Sequence, residues 1–156
     1  MSFEIEQMQE THILAVVALE QECHLSSLGD IGYRKALQDP NSILLVATVE
    51  LPVCSSSEVV AIFSAQMVID ELQIDNIAVA ESYRQKGLAT ILLAEALKAA
   101  KKKGMNSAVL EVRAKNSAAL KLYKRHGFIV AGYRKNYYRN PPDDALTMLL
   151  NSSKHT

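Results

Sequence analysis

The sequence has no tryptophan, only two cysteines and no net charge. The balanced charge and the scarcity of cysteine each argue against a class of protein. Lys and Arg together number 17, as do Asp and Glu, so no overall positive field favours binding to nucleic acid or to an anionic membrane. Cys23 and Cys54 are far apart, with neither CxxC spacing nor a histidine at metal-ligand spacing. We therefore expect two reduced thiols and no metal site.

The sequence also has no segment typical of a secretion signal or a membrane span. Met1–Glu6 has neither a basic region nor an apolar run, and charges interrupt every apolar stretch well before the ~20 residues that a span needs. We expect a cytoplasmic protein, monomeric or weakly dimeric, that binds neither nucleic acid nor membrane. Its 156 residues suit a single domain over 1–150, followed by a flexible tail over 151–156.

The periodicity of apolar residues predicts the element order β-α-α-β-β-β-α-β-α-β-β. The predicted strands cover 3–8, 43–49, 59–69, 72–79, 107–112, 128–133 and 145–150. The predicted helices cover 11–23, 33–38, 87–103 and 116 or 117 to 126, with a break over 26–32 and a turn over 140–144. Hairpins mixed with βαβ crossovers indicate an α/β (α+β mixed) fold, in which helices lie on both faces of a twisted, mostly antiparallel sheet.

The strand over 72–79 contains an irregularity. Leu72 and Ile74 point to one face, but the next apolar pair, Ile77 and Val79, is displaced by one residue. A period of two changes phase only where a strand breaks or carries an extra residue. The pattern predicts a β-bulge near Asn76 in this central strand, although an ordinary strand buried on both faces stays an alternative.

A basic turn lies between this strand and the most regular helix. Arg84-Gln85-Lys86-Gly87 precedes Leu88, and a helix N-terminus presents free N–H groups and the positive end of its dipole to an anion. The turn is neither a Walker A loop nor a GxGxxG motif. Taken alone, one glycine in a basic turn is most often only a turn.

The context of the turn resembles the acetyl-CoA signature of the GNAT acetyltransferases. The sequence Ile77-Ala78-Val79 is followed after four residues by Arg-x-x-Gly-x-Ala, which is similar to the family's R/Q-x-x-G-x-G/A. The resemblance implies that the bulged strand binds the pantetheine arm and that the turn holds the pyrophosphate of acetyl-CoA. The cofactor-binding residues that it implies are Ile77, Ala78, Val79, Arg84, Gln85, Lys86, Gly87, Leu88, Ala89 and Thr90.

A second group of motifs resembles the ribosomal-protein-alanine N-acetyltransferase branch of that family. The matching segments are Leu110-Glu111-Val112-Arg113-Ala114-Lys115-Asn116, Ala119 to Tyr123, Gly127-Phe128 and Arg134 to Tyr138. The resemblance covers about 72–150, and it implies Glu111 as the proton acceptor, Tyr123 as the proton donor and Asn116 as a further contact to the cofactor. It implies an N-acetyltransferase that uses acetyl-CoA and no metal.

These roles have a physical basis and ordinary alternatives. An α-amine is about 14% neutral at pH 7 whereas a lysine is roughly 0.04% neutral, so one carboxylate such as Glu111 is a sufficient base for an N-terminus. A phenol such as Tyr123 could donate a hydrogen bond to the leaving thiolate. Glu111 could instead pair with Arg113 on the same strand face, and Tyr123 could be a core residue with a solvated hydroxyl.

The amine acceptor stays open at this point. Tyr137 and Tyr138 could line an acceptor tunnel, as the resemblance implies, or belong to an edge strand of aromatic and basic residues. The stretch Glu22–Gly29 stands where the branch has an aromatic Pro-Trp-Ser segment, and it differs from that segment. The leading hypothesis is acetylation of a protein N-terminus, such as that of a ribosomal protein beginning with alanine. The alternatives are acetylation of a polyamine or an amino acid, and a non-catalytic acyl-CoA-binding sensor.

Overall fold

The computed structural model describes residues 2–53 and 56–151. The chain divides into two compact units. One comprises the residues up to Gln66 together with Asn76–Ala99, and the other comprises Met67–Asp75 and the residues from Ala100 onwards. The predicted tail lies outside the described residues except for Asn151, which is in the last strand. No helix among the described residues is long and apolar enough to cross a membrane.

The observed elements follow the predicted order. The strands are β1 (Phe3–Gln7), β2 (Ser42–Leu51), β3 (Ser56–Val68), β4 (Glu71–Val79), β5 (Ser107–Arg113), β6 (Ile129–Arg139) and β7 (Pro142–Asn151). The helices are α1 (Ile13–Glu22), α2 (Gly29–Leu37), α3 (Leu88–Lys102) and α4 (Ser117–Arg125). Short 3₁₀ turns cover Glu10–His12 and Glu81–Tyr83.

The seven strands form one sheet in the order β1-β2-β3-β4-β5-β7-β6. The pairs β1–β2, β2–β3, β5–β7 and β6–β7 are antiparallel, whereas β4 and β5 are parallel over Glu71–Gln73. Parallel strands require a crossover, and α3 supplies it. The predicted mixed, mostly antiparallel sheet is confirmed.

The core of the first unit packs α1 and α2 onto the strands. Val16, Tyr33, Val46 and Ile62 are fully buried in one cluster that also includes Ala78. Burying such apolar side chains stabilises the fold by roughly 1.5–3 kcal/mol each. This cluster therefore anchors the end of β4 to the two helices.

The buried face of α1 differs from the predicted stripe. The helical spacing of the sequence predicts Ile13, Leu14, Val17, Ala18 and Glu22 on one face. Ile13 is indeed buried, but the other buried residues of the helix are Val16, Leu19 and Glu20, and Leu14 is 77% exposed. A continuous apolar run fits several helical stripes, so tertiary packing decides the face. The burial of Glu20 was not predicted.

The helix α2 begins four residues earlier than predicted. It starts at Gly29, within the stretch 26–32 that was expected to be irregular. Gly29 has a φ of +73°, which glycine adopts without steric cost, and its N–H donates to Ser27 Oγ over 2.9 Å. A left-handed glycine and a serine therefore begin this helix rather than interrupt it.

The burial pattern of β4 keeps its phase at the position of the predicted bulge. Leu72 and Ile74 are buried with the exposed Gln73 between them, and Asn76 and Ile77 are both half-buried. Ala78, not Ile77, is the next buried residue, so the buried face stays on the even-numbered positions and does not pass to Ile77 and Val79 as expected. The predicted change of phase is therefore wrong, because the polar Asn76 occupies an inward position, and the bulge itself stays a prediction.

In the second unit, β5 pairs with β7 along its whole length, and β7 pairs with β6. Phe128, predicted to begin a strand, is buried immediately before β6. The strand β6 continues to Arg139, six residues beyond the predicted end at Tyr133, and β7 begins at Pro142 instead of Ala145. The predicted turn over 140–144 is therefore a tight connection at Asn140 and Pro141.

Candidate functional site

The turn before α3 adopts a conformation suited to an anion. Gln85 and Gly87 have φ values of +63° and +82°, and residues 84–87 are exposed. Backbone turns that include left-handed residues aim successive N–H groups into a concavity that binds anions. The local sequence explains this geometry at Gly87, because glycine reaches positive φ without strain.

The first turn of α3 adds free donors beside this concavity. The helix has no carbonyl one turn before Leu88, Ala89 and Thr90, so their N–H groups have no partner within the helix. None of the three donates a hydrogen bond to another described residue. Lys86 is exposed next to them. These donors and the helix dipole favour a phosphate or pyrophosphate at this position.

The side chain of Arg84 is directed back to the end of β4. Its Nε donates to the Val79 carbonyl over 3.0 Å, and its Nη2 lies 3.6 Å from Cys23 Sγ. Ile77 and Val79 are half-buried and Ala78 is buried in the core. Arg84 therefore ties the anion-binding turn to the strand that precedes it, while part of the guanidinium stays exposed.

In the second unit, Glu111 of β5 has one oxygen without a hydrogen bond. Its Oε2 is buried and accepts no hydrogen bond from a described residue, although Arg134 Nε lies 3.1 Å away. That distance defines an ion pair, but the angle is not that of a hydrogen bond. Few buried carboxylate oxygens lack a hydrogen bond, so this oxygen is a candidate proton acceptor.

The alternative in which Glu111 pairs with Arg113 is wrong. Arg113 donates instead to the Pro141 carbonyl over 2.7 Å and to the Asn140 carbonyl over 3.2 Å. Its guanidinium carbon also lies 4.2 Å from the centre of the Tyr138 ring. Arg113 thus holds the β6–β7 connection in place, and its positive charge makes a favourable cation–π contact with one face of the Tyr138 ring.

Two tyrosines of this unit, Tyr138 and Tyr123, have raised pKa values, and the charge of Glu111 acts on the first of them. Burial raises the pKa of Tyr138, and the charge of Glu111 raises it further. Burial also raises the pKa of Tyr123, and the charge of Tyr138 raises it further. Tyr123 packs edge-on against Phe128 with 5.7 Å between ring centres, and its hydroxyl has no hydrogen bond to another described residue. Both phenols are therefore neutral hydrogen-bond donors at physiological pH.

Asn116 has a structural role, apart from the cofactor contact that the family resemblance implies for it. Its Oδ1 accepts a hydrogen bond from the Ala119 N–H over 3.1 Å and so caps α4. Such N-caps stabilise a helix by about 0.5–2 kcal/mol. The amide nitrogen of the side chain is the part left to contact a ligand.

A bulge in β6 sets the direction of Tyr137 and Tyr138, and the sequence did not predict it. The β6–β7 register shifts between Arg134 and Tyr138, and Asn136 within this segment has a φ of +56°. Asp144 of β7 secures the bulge, since its Oδ1 accepts from the Asn136 N–H over 2.8 Å. Asparagine tolerates the left-handed region better than most residues, which is the one sequence signal for this feature.

Asp144→Asn is expected to destabilise the protein at pH 7, because an amide nitrogen cannot accept one of the two hydrogen bonds that Asp144 receives from Asn136 N–H and Tyr133 Oη. These bonds lower the pKa of Asp144. The stability they confer is therefore complete above the ordinary aspartate pKa and is lost as pH falls through the lowered value. Urea midpoints of both proteins should differ at pH 7 and converge in acid. A constant difference at every pH would contradict this role.

The fold and these two groups of residues define an acetyltransferase-like α/β protein. Residues 13–128 match the Acetyltransferase (GNAT) family, and the chain belongs to that family. Among the described residues, no group of three or more His, Cys, Asp or Glu side chains is placed to hold a metal ion.

Curated relatives and solved structures place the chain near one branch of the family. It is 41% identical over 87 residues to the [ribosomal protein bS18]-alanine N-acetyltransferase of Escherichia coli K12, with 54% of this chain and 59% of that protein covered. A putative enzyme of the same name from Bacillus subtilis 168 is 42% identical over 82 residues, with 53% of this chain and 54% of that protein covered. The chain therefore spans less than two thirds of the length of these curated relatives.

Structural similarity extends over the whole chain. The crystal structure of the ribosomal-protein-S18-alanine N-acetyltransferase from Escherichia coli has a TM-score of 0.84 and 29% identity, with 99% of this chain and 97% of that chain covered. Arabidopsis thaliana NAA60 in complex with acetyl-CoA has a TM-score of 0.85 at 16% identity, with 96% and 98% covered. The second similarity shows the fold alone.

Proposed function

We propose that this protein transfers the acetyl group of acetyl-CoA to the N-terminal α-amine of a protein, of the ribosomal-protein-alanine type, as one acetyltransferase domain over residues 1–150. The observation that carries the proposal is the buried Oε2 of Glu111, which accepts no hydrogen bond from a described residue. The membership of the GNAT family and the similarity to the S18-alanine N-acetyltransferase support the same reaction.

The turn and the end of β4 fit the acyl carrier. The exposed turn over 84–87 and the unbonded N–H groups of Leu88, Ala89 and Thr90 suit the pyrophosphate. The backbone of Ile77–Val79 suits the amide groups of the pantetheine arm, as an extended segment pairs with a strand. When bound, acetyl-CoA supplies a thioester carbonyl that an amine can attack, with the thiolate as leaving group.

Glu111 takes the proton that the attacking amine loses, directly or through a water molecule. The α-amine suits a single carboxylate base because it is about 14% neutral at pH 7, and a lysine requires about 3.5 kcal/mol more deprotonation work. Arg134 Nε lies 3.1 Å from Glu111 Oε2 and forms an ion pair with this carboxylate.

Tyr123 donates a hydrogen bond to the developing thiolate. Since burial raises the pKa of Tyr123, complete transfer of its proton to a thiolate is more unfavourable than the roughly 2 kcal/mol that ordinary pKa values give. A neutral hydroxyl that keeps its proton still stabilises negative charge as it develops on sulfur. Tyr123 thus acts as a hydrogen-bond donor, and the proton finally reaches the thiolate from solvent.

The acceptor is tested by a panel of amines assayed for release of free thiol from acetyl-CoA. Peptides with a free N-terminal alanine should react at least about tenfold faster than spermidine or free amino acids, because only the peptides offer an amine that is about 14% neutral at pH 7 together with a backbone to bind. Tyr137 and Tyr138 are the residues proposed to contact that backbone. A preference for polyamines would replace this proposal with a small-molecule acetyltransferase, and binding without turnover would replace it with an acyl-CoA sensor.

A further inference from the structure

Glu20 of α1 is a fully buried carboxylate to which neither the cofactor site nor the base site assigns a role. It has no exposed surface, and it accepts hydrogen bonds from Tyr33 Oη over 2.7 Å and from Ser27 Oγ over 2.8 Å. Asn76 Nδ2 donates to the same oxygen as Tyr33. A buried charge is tolerated only where such donors compensate for lost hydration. Glu20 is therefore the centre of a polar cluster inside an otherwise apolar core.

Asn76 connects this cluster to β4. Its side-chain nitrogen donates to Glu20 and also to the Ser26 carbonyl over 2.7 Å, so both of its N–H groups are used. Asn76 is half-buried and lies in phase with the buried residues Ile74 and Ala78 of β4. The hydrogen bonds to Glu20 and Ser26 thus account for a polar, half-buried residue in the middle of an apolar strand.

The end of α1 also contacts Val79, at the other end of the segment Asn76–Val79 of β4. Cys23, three residues after Glu20, places its Sγ 3.7 Å from the Val79 carbonyl, which also accepts the bond from Arg84 Nε. The end of α1 therefore holds Asn76–Val79 at both ends, by Glu20 at Asn76 and by Cys23 at Val79. The anion-binding turn begins only after the second of these contacts.

We propose that Glu20 is a positioning residue for the acyl carrier: through Asn76 it fixes the backbone of Asn76–Val79 to which the pantetheine arm binds. This inference rests on the proposed function. It predicts different effects on two parts of one ligand, because the segment Asn76–Val79 contacts the pantetheine arm whereas the turn after Arg84 contacts the pyrophosphate. Loss of a residue that only stabilises the fold would weaken the binding of both parts.

The experiment compares binding of acetyl-CoA and of ADP by titration calorimetry or by competition. Glu20→Gln replaces an accepting oxygen with a donor, and Asn76→Ala removes the connection to β4. Each should weaken acetyl-CoA binding about tenfold, a loss equivalent to about 1.4 kcal/mol, while ADP affinity stays unchanged. In the double variant the loss should still be about tenfold, because both changes break one connection and their effects are not additive.

Tyr33→Phe is the matched control. It removes a hydroxyl that bonds to the same Glu20 oxygen but belongs to α2 instead of β4, so it should lower Tm and leave acetyl-CoA affinity within about twofold. Equal weakening of acetyl-CoA and ADP, or a Glu20→Gln protein with lower Tm and normal acetyl-CoA affinity, would overturn the inference. Failure of the wild-type protein to bind acetyl-CoA would instead overturn the proposed function.

Discussion

Glu111→Gln is expected to lower kcat at pH 7 by at least about tenfold, in line with the contribution of a general base, while acetyl-CoA affinity stays nearly unchanged. The amide has almost the same shape as the carboxylate but cannot take a proton from the attacking amine. Glu111 Oε2 accepts no hydrogen bond from a described residue, so the substitution breaks only the ion pair with Arg134. Steady-state rates with an alanine peptide and calorimetry with acetyl-CoA measure the two quantities.

Arg134→Gln is the matched control, because it breaks the same ion pair and keeps the carboxylate. Arg134 is 61% exposed although its partner Glu111 is only 30% exposed, and ion pairs that reach solvent contribute about 0–1 kcal/mol. This variant should therefore keep most of its kcat. If both variants lost activity equally, the ion pair and not the base would be responsible, and unchanged activity of Glu111→Gln would remove the base assignment.

Gly87→Val is expected to abolish detectable acetyl-CoA binding, which requires a loss of well over tenfold. Gly87 has a φ of +82°, and a Cβ built on it has no heavy atom within 4 Å. The free chain therefore has room for the side chain, but the left-handed backbone costs roughly 1–2 kcal/mol in any residue other than glycine. The branched side chain would also occupy the space of the pyrophosphate beside the first N–H groups of α3.

Gly104→Val separates backbone strain from loss of the binding site. Gly104 follows the other end of the same helix, with a φ of +90° and no heavy atom within 4 Å of a built Cβ. Both valine variants should lower Tm to a similar extent, and only Gly87→Val should lose acetyl-CoA affinity. Normal affinity of Gly87→Val in calorimetry would refute the assignment of the turn.

The order of elements could be predicted because local patterns specify it. Alternation and helical periodicity located every strand and helix, and the helix α3 was bounded correctly to within a residue because Gly104 and a run of lysines end it. The buried face of a helix could not be predicted in the same way. The helix α3 has apolar residues of its own on several faces. Its spacing predicts that Ile91 lies on the buried face, but Ile91 is 44% exposed, whereas Leu93 is buried.

The conformation of a candidate site could be predicted where a motif is contiguous in sequence. The turn that ends at Gly87 is such a motif, and Gln85 and Gly87 are left-handed in it. The contacts around Glu111 were not predictable. Its partner is Arg134, 23 positions further along the chain, and not Arg113 on the same strand, because the strand order β5-β7-β6 brings together residues that are distant in the sequence. The bulge at Asn136 likewise depends on Asp144, a contact across strands that no local pattern encodes.

Glu20 illustrates the same limit. In the sequence it is one acidic residue in a helix, where a solvated position is the usual expectation. Its burial depends on donors from three other segments, namely Ser27, Tyr33 and Asn76. Only the assembled fold brings these donors together.

Acetyl transfer to two versions of one alanine-initiated, lysine-containing peptide tests the central claim most directly. One version has a free N-terminus and the other has a blocked N-terminus, and both keep their lysines. Release of free thiol should be rapid with the first and near background with the second, since at pH 7 the α-amine is about 14% neutral and a lysine only about 0.04% neutral. Equal rates with the two peptides, or no thiol release with either, would contradict an N-terminal acetyltransferase.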